Sequence, residues 1–77
     1  MQVKGMVQVD GVTYRVVRVG AGQYDVVRIL DDCCVGTFRS VPSIEVTPIS
    51  IPAGLMREIA RAAIHGAKTS WVGRLSL

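Results

Sequence analysis

The sequence predicts an α+β domain: a four- or five-stranded antiparallel β-meander with one C-terminal α-helix packed on one face. Three observations carry this. The N-terminal half alternates apolar and polar residues with a period of two. The turn formers Asp10-Gly11, Gly20-Ala21-Gly22 and Asp31-Asp32 divide that half into segments of strand length. From Ser50 onward the apolar period becomes helical. A sheet with one apolar face needs a cover, and the amphipathic helix is the element available to supply it.

The first strand is "QVKGMVQV", residues 2–9, with Val3, Val7 and Val9 on one side and Gln2, Lys4, Met6 and Gln8 on the other. Asp10-Gly11 follows. Between alternating runs this pair marks a type I′ turn, whose two central residues need positive φ. A two-residue loop sets Val9 opposite Val12 and Val7 opposite Tyr14, so these four share a face. The other face then carries Lys4, Met6, Gln8, Thr13, Arg15 and Val17. The third strand is "QYDVVRIL". Its register depends on whether the preceding loop has two or three residues, and a one-residue slip exchanges its faces.

Asp31-Asp32 opens the next turn and "CVGTFRS" is the fourth strand. Pro42 and Pro48 bracket "SIEVT", an edge strand or a loop, because proline cannot donate in a ladder. Strands thus occupy about residues 2–47 and the helix about 51–67 of a single 77-residue domain. Ser50 is the expected N-cap, with Pro52 in the first turn. Met56, Ile59, Ala60, Ala63, Ile64 and Ala67 form the apolar arc, and Gly66 suits the helix end. Arg57, Arg61, His65 and Lys68 lie on the polar arc beside Glu58. A tail, residues 68–77, has Trp71 as its expected anchor.

Composition narrows the function classes. Nine Lys and Arg against six Asp and Glu give a net charge of +3. This balance permits an anionic partner without demanding one. No apolar stretch reaches the roughly 18 residues of a membrane span. The alternating N-terminus lacks a signal-peptide core, so the expected location is the cytoplasm. Hydrophobic residues make up 49% of the chain, rich for so small a domain, which also fits a protein partner or a homodimer.

The stretch "DDCC", Asp31 to Cys34, offers two acids beside the two cysteines of the chain. A structural zinc site needs four ligands at separated spacings, and adjacent cysteines on a strand point to opposite faces. The pair therefore reads as a turn followed by strand, with one cysteine as a small core residue and no metal. Neither cysteine sits in a nucleophile signature with His65, and Gly20-Ala21-Gly22 lacks the lysine and following helix of a phosphate loop. The expectation is a non-enzyme without cofactor. The remaining signal is basic. Arg57 and Arg61 stand one turn apart with Lys68 on the same side, and Lys4 and Arg15 share a sheet face.

"YRVVR" (Tyr14 to Arg18), "GQYDVVRILDD", "VGTF" (Val35 to Phe38) and "AAIHGAK" (Ala62 to Lys68) fall in the order seen in AP2-type DNA-binding domains, and the chain resembles these and the related integrase arm-binding domains. The resemblance spans about residues 14–68. It implies a sheet-plus-helix fold that contacts DNA through the sheet, with Arg15, Arg18 and Arg28 as the contacts. The sheet here has no tryptophan, and a proline-containing segment, Arg39 to Ile51, separates Phe38 from the helix. The candidate nucleic-acid contacts are thus Lys4, Arg15, Arg18, Arg28, Arg57, Arg61 and Lys68. The alternative is a protein-interaction or self-associating module.

Overall fold

The computed structural model describes residues 2–65, and the side chains of residues 5–64 within them. Five strands, β1 (Gln2–Val9), β2 (Val12–Gly20), β3 (Gln23–Arg28), β4 (Cys33–Arg39) and β5 (Glu45–Pro48), precede one helix, α1 (Ala53–His65). They form a single antiparallel sheet in the order β1-β2-β3-β4-β5. The α+β class and the meander are as the alternation predicts, and the "SIEVT" stretch contributes the edge strand β5.

The β1–β2 hairpin follows its turn chemistry. Asp10 and Gly11 have φ of 51° and 80°, and Val9 pairs with Val12 and Val7 with Tyr14. Positive φ costs glycine nothing and aspartate little, so the Asp-Gly pair sets the register. The third-strand question is settled by a compromise. Gly20 pairs with Gln23 across Ala21-Gly22, but a bulge at Val19 shifts the ladder so that Arg18 faces Tyr24.

Two more bulges alter the expected alternation. One lies at Lys4, between the pairs Val3–Val17 and Gly5–Val16. Residues 2–9 are therefore not one unbroken period-two strand. The other lies at Val35, between Val26–Gly36 and Val27–Cys34. Each bulge adds twist and bends its strand. The bending shows in where the helix sits: α1 lies alongside β5 and β1, the two edges of the sheet, over more of its length than alongside β4. A flat sheet would bring a crossing helix equally close to its middle strands, so the sheet coils around α1.

The core lies between them. Val7, Val16, Val26 and Val35 from the sheet and Met56, Ile59 and Ala60 from the helix are fully buried. Val9, Tyr14, Phe38, Ala62 and Ala63 complete the cluster. The apolar arc of the helix therefore faces inward as its spacing predicts. Met56 seats on Gly36, where an added Cβ would lie 2.6 Å from the Met56 Sδ and 3.0 Å from the Thr47 carbonyl oxygen.

The helix begins later than Ser50 implies. The Met56 amide donates to the Pro52 carbonyl at 3.0 Å, which makes Pro52 the residue that flanks the first turn. Ser50 is drawn elsewhere: its amide and that of Ile49 both donate to the Val35 carbonyl, at 3.1 and 2.9 Å. The bulge at Val35 thus holds the segment leading into α1. The helix is neither long nor apolar enough to cross a membrane. The expected cap at Gly66, the apolar Ala67 and the anchor Trp71 lie outside the described residues.

Candidate nucleic-acid interface

Strand register decides where each arginine stands. Arg15 pairs with Met6 on one side and Val27 on the other, on the sheet face away from α1. Arg28 pairs with Tyr14, and Arg18 with Tyr24, on the helix-bearing face. Arg28 ends β3, and Arg18 stands two residues before the end of β2. Arg15 is therefore set on the opposite face from Arg18 and Arg28, and these two, though on one face, stand four residues apart along the ladder. Lys4 is the bulge residue of β1. Lys68 lies outside the described residues.

Acids hold three of the sheet arginines. The Asp31-Asp32 turn reaches back over the sheet end, with Asp32 in the left-handed region at φ 56°. Its two carboxylates diverge. Arg15 Nη2 donates to Asp32 Oδ1 at 2.9 Å. Arg28 donates through Nε and Nη2 to both oxygens of Asp31, at 2.9 and 2.8 Å. This bidentate fork holds the Asp31 carboxyl below the usual aspartate range, through hydrogen bonding first, and keeps the Arg28 guanidinium charged. Arg39, opposite Glu45 in the ladder, is paired with it.

Arg57 and Arg61 differ. Both are exposed on α1, and neither has an ion-pair partner among the described residues. Arg18 is also exposed and without such a partner. All three belong to the helix-bearing side. Glu58 is exposed beside Arg57 and Arg61 and takes up neither.

The opposite face carries a different charge. Asp25, Thr37 and Thr47 form one cross-strand row there, and Gln23, Arg39 and Glu45 the next. They line an open groove of about 430 Å³. With Arg39 paired to Glu45, Asp25 leaves the groove with excess negative charge, which disfavours phosphate. Sequence reasoning missed both the groove and the pairing that occupies Arg15, Arg28 and Arg39, because each depends on register across strands.

The thiols stand apart as the alternation requires. Cys33 pairs with Arg28 and Cys34 with Val27, on opposite faces. Both are free and only half-buried. Neither is the small core residue the sequence suggests, since the bulge places Val35 in the core instead. Their sulfurs contact the carbonyls of Cys34 and Gly36, at 3.8 and 3.6 Å. Among the described residues, no three His, Cys, Asp or Glu side chains are grouped to hold a metal ion.

Comparison with protein-family models, with curated proteins and with solved structures finds no match to this chain. The likeness to AP2-type domains therefore rests on motif order alone.

Proposed function

We propose that this chain is a small non-catalytic nucleic-acid-binding module whose contact surface is the helix side, with Arg57 and Arg61 at its centre and Arg18 at its rim. One observation carries this reading. Every arginine with a described acidic partner, Arg15, Arg28 and Arg39, belongs to the sheet, whereas both arginines of α1 are exposed without one. Unpaired exposed guanidinium groups bind phosphate without first breaking an internal ion pair. The AP2-like motif order supports nucleic acid as the ligand class, although that family's contacts would fall on Arg15, Arg18 and Arg28. The paired state of Arg15 and Arg28 shifts the weight to the helix.

A protein-interaction or self-associating module is the second reading. Its support is the turn between β3 and β4, where Leu30 is 89% exposed beside a 40% exposed Ile29. A salt series separates the two. Phosphate contact weakens steeply as salt rises, with a log–log slope of about 0.9 per duplex contact, whereas apolar association does not weaken in this way. Binding of mixed-sequence DNA or RNA at about 50 mM salt, lost on raising salt and in the Arg57→Gln/Arg61→Gln variant, is expected. Failure to bind any nucleic acid, together with dimers in sedimentation that Leu30→Ser disperses, would establish the second reading instead.

A further inference from the structure

We infer that the ligand is a duplex held by its phosphates, independent of base sequence, rather than a single strand held by stacked bases. This rests on the nucleic-acid reading above and specifies its ligand. Three features argue for it.

The first is the shape of the surface. Between Leu55 and Ile64 only Arg57, Glu58 and Arg61 are exposed, because the coiled sheet takes up the remainder of the helix. A helix that enters the major groove must project its side chains from a protruding cylinder. Here α1 is sunk between β1 and β5, and it offers a narrow ridge. Such a ridge reaches the backbone and not the groove floor.

The second is spacing and charge. Arg57 and Arg61 are one turn apart, about 6 Å along the helix axis, which suits neighbouring phosphates. A duplex carries more phosphate charge per unit length than a single strand, so a purely electrostatic contact favours it.

The third is the aromatic inventory. Proteins that hold single strands combine a basic track with rings on which bases stack. Tyr14 and Phe38 are each 3% exposed, and Tyr24 stacks on Phe38 with centroids 4.9 Å apart while packing against the core. None of these rings stands on α1 beside Arg57 and Arg61. Trp71, outside the described residues, is the remaining aromatic of the chain, and the experiment addresses it directly.

Fluorescence anisotropy with a labelled duplex, its scrambled-sequence counterpart and the matching single strand tests the inference. The two duplexes should bind alike, and both about tenfold or more tighter than the single strand at equal salt. Arg57→Gln/Arg61→Gln should reduce the salt slope by about two units, and Glu58→Gln should strengthen binding. Arg15→Gln, whose guanidinium is already paired, should leave the slope unchanged. Circular dichroism confirms that each variant is folded. Equal or tighter single-strand binding, lost in Trp71→Ala, would overturn the duplex inference while leaving the nucleic-acid reading standing. Strong preference between the two duplex sequences would do the same. Binding to none of the three probes would overturn both.

Discussion

Among the described residues, Asp31 and Arg28 are the one charged pair held by two hydrogen bonds, both shorter than 3 Å. Because hydrogen bonding to Arg28 favours the ionised carboxylate, Asp31 titrates below the ordinary aspartate value of 3.8. The sign follows from linkage. A carboxyl whose folded-state pKa is depressed contributes stability that is complete above its unfolded pKa and lost as the pH falls through the folded one. The contribution is small, since both groups are in contact with solvent. An NMR titration of the Asp31 side-chain carboxyl should place it below the ordinary aspartate range, and Arg28→Gln should return it there. A midpoint unchanged by that substitution would mean that the fork does not persist in solution. Arg28 and Asp31 are three residues apart, close enough to suspect from sequence. The partnership of Arg15 with Asp32 spans 17 residues and exists because strand register brings the β3–β4 turn beside β2.

At the scale of elements, β4 and α1 meet through a glycine. Gly36 is buried, and a side chain there would meet a sulfur at 2.6 Å and a backbone oxygen at 3.0 Å. Met56 can swing aside, but the Thr47 carbonyl belongs to the β5 ladder. Gly36→Ala should therefore destabilise by about 1–3 kcal/mol, as overpacked cores do. Denaturant unfolding measures this, and an unchanged midpoint would show that the helix is not seated as described. Much of the element plan was legible in the sequence. Asp10-Gly11 announced its hairpin, and the spacing of Met56, Ile59, Ala60 and Ala63 announced the buried face of α1. The bulges at Lys4, Val19 and Val35 were not legible. A bulge answers to the curvature of the whole sheet, and no local propensity of Lys, Val or their neighbours encodes it. The start of α1 was misplaced for a related reason: Ser50 has the chemistry of a cap, but the backbone of Ile49 and Ser50 is held on the bulged carbonyl of Val35, and the first helical bond runs from Met56 to Pro52.

For the whole molecule, charge pairing is sorted by element. The described ion pairs gather on the sheet and its turns, and neither arginine of α1 has an ion-pair partner among the described residues. The candidate residues themselves were legible, but their sorting was not, because a sequence shows charges and not pairings. If the turn withholds Arg15 and Arg28 from phosphate, then Asp31→Asn/Asp32→Asn should raise nucleic-acid affinity and steepen the salt slope by up to about two units. The variant Asp10→Asn/Asp25→Asn changes net charge equally without releasing a described ion pair. An equal gain in both variants would mean that only total charge matters, and that the turn withholds nothing.

The approach of α1 to both edges of the sheet has a consequence for the order of folding. Each strand pairing joins neighbours along the chain, so the meander assembles by short loop closures that cost little entropy. Docking of α1 on β1 joins the last described element to the first, and it is the least local closure among them. The hairpins should therefore be largely formed in the transition state, with the helix docking afterwards. Ile59, fully buried in that late contact, is the reporter. Ile59→Ala should cost about 2–5 kcal/mol. Most of this should appear as faster unfolding, with the folding rate little changed. Stopped-flow kinetics would show it as a displaced unfolding limb, and a loss confined to the folding limb would put the helix in the nucleus. Late docking also leaves β1 and β5 briefly unguarded, and unpaired strand edges recruit other chains. The helix that carries the proposed binding surface is thus also the last described element to close over the strands at the two edges of the sheet.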